Sequence, residues 1–358
     1  MKKIILTWLI SMLTSTFVTA QTVKLLTSGT KTSIRGLSVV DDKTVWTSGS
    51  NGTIGRSVDG GETWKWITVK GFEKTEFRDI EAFDEMSAVI MGIADPAYIL
   101  RTVDGGENWN VVFKDTTKGM FLDAMEFWND QSGIVIGDPI NGRFFIARTF
   151  DGGRSWRGIP EHYRPLADSG EACFASSGTN IRPLNRSEAV FISGGKLSNL
   201  FIRDKKISLP ILKGTESTGA NSIAIRDKKH FMVVGGDFNA KDSSFKNCIY
   251  TNNAGKSWIE PATPPHGYRS CVEYIKKQEW IACGLNGVDY TKDDGQTFTL
   301  ISKDGYHVCR KAKKGNAVYL AGGGGRIGKL RFYSFDRETY YEWLIQKPPD
   351  ADGTFDNL

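Results

Sequence analysis

Arginines and aspartates recur at the point where runs of alternating apolar residues begin: Arg35 in SIRGL, Arg78 and Asp79 in EFRDI, Asp123 in FLDAM and Arg269 in GYRSC. Guanidinium groups gathered on one surface can grip a carboxylate in bidentate fashion, so an acidic peptide or an acidic sugar is the ligand chemistry they predict. Arg326 in GGGGR, with Asp95, Asp138, Arg143 and Asp237, stands in loops further along equivalent stretches. The charges are mixed in sign, and mutually paired surface charge is the competing reading.

A second set of acids is repeated with its surroundings. SVDGGETW at 57–64 returns as TVDGGENW at 102–109 and TFDGGRSW at 149–156, then as TNNAGKSW at 251–258 and TKDDGQTF at 291–298. The residues concerned are Asp59, Asp104, Asp151, Asn253 and Asp293. A catalytic carboxylate or metal ligand would lose its charge at Asn253, which favours scaffolding. A carboxylate in a tight turn accepts N–H bonds from residues just beyond it, and the glycine can take the positive φ that other residues resist. The hydroxyl of Ser57, Thr102 or Thr149 adds a local bond, and Trp64, Trp109, Trp156 and Trp258 offer large faces for packing.

Other chemistry has little support. GGGGRIG contains the glycine spacing of a dinucleotide fingerprint at Gly323, Gly325 and Gly328, yet KLRFYSF follows it, which reads as strand, where the fingerprint needs a helix. His162, His230, His266 and His307 form no i, i+2 or i, i+4 pair. Cys173, Cys248, Cys271, Cys283 and Cys309 match no zinc spacing, so neither a metal nor a cofactor is expected. The preferred reading of the cysteines is five small buried hydrophobes; the alternative is a disulfide between Cys271 and Cys283, facing each other if SCVEYIKKQEWIAC turns near its middle.

The elements that position these residues follow from the repeat. With a worn copy, IRDKKISL, placed at 202–209, the recurring acids are spaced by 45, 47, 53, 49 and 40 residues. A period of that size, filled with short alternating segments such as IRGLSVV, TVWTSGS, GTIGRSV and TWKWITV, is one four-stranded blade of a β-propeller. Six turns make six blades. After the last turn YHVCRKA, NAVYLAG and IGKLRFY supply three more strands, and VKLLTSG at 23–29 has the pattern of a missing fourth. The prediction is an all-β, seven-bladed β-propeller, its ring closed by pairing the amino-terminal strand with the last blade so that no edge is left open.

The chain has 358 residues, 40% of them hydrophobic, enough for a sizeable core, and a net charge of +5 without a long basic run. Nucleic acid is therefore not an expected partner. MKKIILTWLISMLTSTFVTA reads as a signal peptide of residues 1–20, cleaved after Ala20, which predicts a periplasmic or secreted protein. No later run is long and apolar enough for a membrane helix. The propeller is expected over 21–335 and a carboxy-terminal extension over 336–358.

The motif S/T-x-D-x-G-x-T/S-W resembles that of the Asp-box, or bacterial neuraminidase repeat, propellers, and in its spacing over nearly the whole mature chain it is similar to the exported photosystem II stability/assembly-factor-like propeller family. That resemblance implies a binding or assembly scaffold with its ligand site at the mouth of the central channel. The predicted site is Arg35, Arg78, Asp79, Asp123, Arg269 and Arg326, with no catalytic residue assigned. The expected partner is an exported protein or acidic peptide, with an acidic glycan as the further possibility. The alternative is a sialidase-like glycan hydrolase, for which Tyr268, Tyr306, Glu171 and Asp79 would be the candidates. The Arg-Ile-Pro segment that sialidases carry near the start is absent here.

Overall fold

Apolar residues alternating in twos, bounded by Gly, Asp and Asn, make strands, and the depth of each strand shows in its pattern. Val45–Gly49 and Ala88–Gly92 are buried on both faces, whereas Lys65–Thr68 and Asn110–Asp115 keep exposed residues. Strands near the ring axis are covered from two sides by neighbouring sheets, and outermost strands meet solvent. The computed structural model describes residues 18–335. The expected signal segment and carboxy-terminal extension lie outside the described residues, except for 18–20. Two compact units are distinguished, Val23–Leu330 and a second one joining Met1–Thr22 to Arg331–Leu358. Of the second unit the described residues are 18–22 and 331–335, the outer ends of two strands.

Val23–Leu330 is a seven-bladed β-propeller. Blade one is Ile34–Val39, Val45–Gly49, Thr53–Ser57 and Lys65–Thr68. Blade two is Phe77–Ala82, Ala88–Gly92, Ala97–Thr102 and Asn110–Asp115. Blade three is Leu122–Phe127, Gly133–Ile140, Arg143–Thr149 and Arg157–Gly158. Blade four is Ile181–Pro183, Ala189–Ile192, Asn199–Ile202 and Lys205–Ser208. Blade five has Thr218–Ile225, Phe231–Asp237 and Cys248–Thr251, with Ile259 bridging Tyr250 in place of a full fourth strand. Blade six is Cys271–Lys276, Glu279–Gly284, Gly287–Thr291 and Thr299–Ser302. Blade seven orders Val308–Lys311, Val318–Ala321 and Ile327–Phe335, and its fourth strand is Val18–Thr27 from the amino end, as the sequence predicts. Val23 and Leu26 pack into the hydrophobic cluster of blades six, seven and one, which fastens this closure.

The repeated acids sit in the turns between third and fourth strands. Asp104 accepts the Asn108 N–H at 3.0 Å and the Asn108 side-chain amide at 2.9 Å, while Thr102 Oγ1 donates to Asp104 Oδ1 and accepts the Gly106 N–H at 3.1 Å. Asp59, Asp151 and Asp293 make the same set with Thr63, Ser155 and Thr297. Side-chain and backbone donors pull the carboxyls of Asp59 and Asp104 down to about 2. Asn253 reproduces the geometry with an amide, accepting the Ser257 N–H at 3.0 Å and donating to Ser257 Oγ at 2.7 Å. The turn needs an acceptor and no charge. The worn copy at Asp204 differs: Ile202 pairs with Lys205 and Arg203 has φ 56°, a plain two-residue hairpin turn.

The same turns bind blade to blade. Gly106 and Gly153, at φ 87° and 76°, lie so close to the preceding blade that a Cβ would stand 3.1 Å from Ile67 Cδ1 and 2.7 Å from Val89 Cγ2. In blades one and two the tryptophan closing the turn donates its indole N–H back to the glycine carbonyl, Trp64 Nε1 to Gly61 O at 3.2 Å and Trp109 Nε1 to Gly106 O at 3.1 Å, and Trp109 meets Trp46 of blade one edge-on; the Trp156 and Trp258 indoles make no such bond. Asp104→Ala should therefore cost about 1 kcal/mol, and Trp109→Ala about 3 kcal/mol. Gly153→Ala should destabilise by more than Asp104→Ala, because it combines an unfavourable φ with a clash. Urea denaturation checks all three, and an Asp104→Ala variant of unchanged stability would contradict this role.

Candidate binding site at the channel mouth

In blades one, two, three and five the first strand begins at the upper mouth of the channel with one residue too many. Pairing with the second strand slips between Ile34 and Gly36, Phe77 and Asp79, Leu122 and Ala124, and Ala220 and Ser222. The residues skipped are Arg35, Arg78, Asp123 and Asn221. A bulge leaves its extra residue outside the ladder and re-aims its side chain. Two arginines and an acid expected at the mouth are thus the bulge residues of blades one, two and three.

Arg269 is not in this set. Asp79, Ser222 and Cys271 occupy one repeat position, each accepting an N–H from the next blade: Met125 at 2.7 Å, Val272 at 2.9 Å and Cys309 at 3.4 Å. The residues preceding them are Arg78, Asn221 and Ser270, so Ser270 is the blade-six counterpart and Arg269 falls one residue early. Its guanidinium is fully buried, with Nε 2.6 Å from Asp289 Oδ2 and Nη1 bonded to the Tyr268 carbonyl and to Asn286. The expectation of an accessible guanidinium at Arg269 is corrected: one residue of register turns it into blade six. Asp79 is also committed, its carboxylate bonded to the N–H groups of Ile80 and Met125 while burial pushes its carboxyl well above the ordinary range.

The bore of the ring is filled by the chain itself. Between blades three and four the segment 175–179 (ASSGT) is buried, and it touches innermost strands around the ring. The Ser176 carbonyl accepts from Arg35 of blade one at 3.3 Å, and Gly178 lies against the Asp79 carboxylate of blade two, where a Cβ would collide. Ser176 and Thr179 donate to Asn221 and Ser222 of blade five at 3.0 and 2.6 Å. Ser177 donates to the Ser270 carbonyl of blade six at 2.7 Å, and Arg310 of blade seven donates to the Gly178 carbonyl at 3.0 Å. A short segment reaching all of these strands lies on the axis. Below it the lower mouth holds a cavity of 190 Å³ lined by Glu126, Arg182, Ala224 and Glu273, where Arg182 is paired with both glutamates.

The upper mouth is covered unevenly. Glu171–Ala172 and Gly194–Gly195 extend the sheet of blade five inward. Phe174, Phe238 and Tyr268 form a chain of edge-on rings beside them. Two of the sialidase candidates are taken up in this cover: Glu171 is bonded by Ser193, Asn199 and Lys206, and the Tyr268 hydroxyl donates to Asn221 at 2.8 Å. The side of blades one, two and seven carries Arg35, Arg78 and Arg326, all partly exposed. They surround His307, whose imidazole is pushed down to about 3 by burial first and then by these guanidiniums. Burial and Arg78 also lower the Arg35 guanidinium.

Negative charge there is sparse. Glu76 stands 3.8 Å from Arg78 Nε, and that nitrogen is buried with no hydrogen-bond partner. Asp123 is fully buried, both its oxygens lack hydrogen-bond partners, and burial with Asp138 nearby drives its carboxyl far upward, towards the neutral form. Arg326 donates to the Gly305 carbonyl at 2.8 Å. The cluster is therefore three cations around a neutral imidazole. Sequence reasoning missed His307, whose only signal is its place at the repeat position of Arg35 and Arg78. It also missed the axial segment, whose signal is the 53-residue step, the longest of the spacings.

No family model and no curated protein matches the chain. Solved structures do share its fold. YCF48 from Cyanidioschyzon merolae superposes with a TM-score of 0.60 at 17% identity, over 86% of this chain and 98% of that one. YCF48 bound to D1 peptide gives 0.58 at 16% identity, over 87% and 94%. The WD40 β-propeller domain of Doa1 gives 0.58 at 12% identity, over 86% and 97%. At such identities the likeness is one of fold.

Two outcomes follow from this geometry. Arg269→Ala, which strands a buried Asp289, should lower stability by about 3 kcal/mol, whereas Arg78→Ala should change it by less than about 1 kcal/mol. Urea melts giving the reverse order would contradict the placement. Burial, opposed by the Cys173 N–H, raises the Asp138 carboxyl from 3.8 to about 6. The folded chain thus keeps a proton that the unfolded chain releases, so this contribution is whole below the unfolded value and is lost as pH rises through about 6. Asp138→Asn retains the oxygen that accepts from Cys173, and should abolish a loss of about 2 kcal/mol between roughly pH 4 and 7. A pH series of melts with the same slope in both proteins would rule this out.

Proposed function

We propose that the protein is an exported peptide-binding or assembly scaffold, and that Arg35, Arg78 and Arg326 at the upper channel mouth hold a carboxylate-bearing segment of its partner. The observation that carries the reading is the gathering of three partly exposed guanidiniums around an uncharged His307, with one of their nitrogens left unbonded. Under-neutralised arginines on a partly dry surface recognise carboxylates through paired, charge-assisted bonds. The recurring turns are taken as Asp-boxes. A propeller of the same fold has been solved with a peptide bound, YCF48 with D1 peptide, which is consistent with this mode of use. The axial segment 175–179 leaves the partner a place on the mouth and not through the bore.

The test is fluorescence anisotropy with a labelled peptide rich in Asp and Glu, using full chain matured in the cell envelope, whose amino-terminal sequence is expected to begin at Gln21. Wild type should bind it, the Asn/Gln counterpart should bind less tightly, and added salt should weaken the complex. A folded Arg35→Ala/Arg78→Ala variant should lose affinity by roughly tenfold or more, since each charge-assisted bond contributes about 1.5–3 kcal/mol. Equal affinity of the double variant, or indifference to the peptide's charge, would remove the site from consideration.

A further inference from the structure

Three of the five cysteines converge. Cys271 and Cys283 are cross-strand partners in blade six, and Cys309 stands on the first strand of blade seven. All three are fully buried. Their sulfurs lie within 4.8 Å of one another, with Cys271 and Cys309 3.6 Å apart. The walls are apolar, with Val288, Ile281, Tyr306 and Leu320 in the same core cluster. Thr179 of the axial segment closes the group from the channel side, its Oγ1 3.7 Å from Cys271 Sγ.

We propose that Cys271, Cys283 and Cys309 form a trigonal sulfur site for a soft monovalent metal ion of the copper(I) type. The geometry fits: in an equilateral triangle of 3.6 Å side an ion at the centre would be about 2.1 Å from each sulfur, and at the 4.8 Å upper bound about 2.8 Å, on either side of the ~2.3 Å of a metal–thiolate bond. Among the described residues no His, Asp or Glu joins the group as a fourth ligand. Zinc prefers four ligands, while sulfur in low coordination number suits copper(I). The cation within electrostatic reach of Cys271 is the Arg182 guanidinium, whose charge is shared with Glu126 and Glu273. Sequence spacing hides the site, since its ligands come from three strands in two blades. It is separate from the peptide site proposed above and does not depend on it.

The ligands are enclosed, so the full chain is refolded anaerobically with copper(I) supplied as its acetonitrile complex, then dialysed against bicinchoninate. The expected result is one copper retained per chain, with sulfur scatterers alone at about 2.3 Å in X-ray absorption. Cys309→Ala and Cys283→Ala should abolish retention, and Cys173→Ala and Cys248→Ala should keep it. The wild-type stoichiometry and absorption spectrum decide the matter even where a variant does not fold. Loss of all copper to the chelator overturns the proposal. So does retention undiminished in folded Cys309→Ala, or a disulfide among the three thiols in anaerobically purified chain.

Discussion

A stretch of irregular backbone buried on the axis of a ring has to find partners for its polar groups in every direction, and much of the upper channel is arranged to supply them. Water is excluded from 175–179, so each unpaired group there would carry its full desolvation cost, about 1–3 kcal/mol. Arg35, Asn221, Ser222, Ser270 and Arg310 meet that demand from four different blades. The small residues of ASSGT are what the space admits, and Gly178 is where the backbone passes the Asp79 carboxylate too closely for any side chain. Filling the bore thus fixes which inward-facing positions are already spent.

Seams between blades are closed by polar contacts as well as apolar ones. At the inner edge, Asp79, Ser222 and Cys271 do the same job with different chemistry, each taking an N–H from the following blade. At the outer edge, the hydroxyl–acid–glycine turn folds on itself and tucks its glycine against the preceding blade. The fidelity of the repeated aspartate then needs no ligand to explain it. A turn that had to bring a negative charge to a cation would lose it at Asn253, while a turn that needs one acceptor and a second polar contact keeps both there.

The fold was legible because its period is carried by turns whose chemistry is local: an acid, a glycine and a tryptophan at fixed spacing mark one blade wherever they occur. Closure of the ring was legible too, since three strands after the last turn require a fourth and VKLLTSG matches it. The site was legible only in part. Arg35, Arg78 and Asp123 share a bulge that alternation alone does not reveal. Arg269 resembles them in sequence, but a one-residue offset reverses its facing and buries it against Asp289. His307 and Ser270 occupy the true positions, but neither looks like an arginine. The axial segment has no period at all, and the thiol triangle is assembled across a seam.

Uneven coverage of the mouth turns this arrangement into a directional surface. Blades four and five are sealed by the added strands Glu171–Ala172 and Gly194–Gly195 and by the rings of Phe174, Phe238 and Tyr268. Blades one, two and seven keep their guanidiniums partly open. Asp123 does not quench those cations from beneath, because burial drives it towards its neutral form, while burial first and then Arg35, Arg78 and Arg326 keep His307 uncharged, so that it adds no charge of its own. Burial, by silencing Asp123 under the surface, leaves the sign of the open side positive.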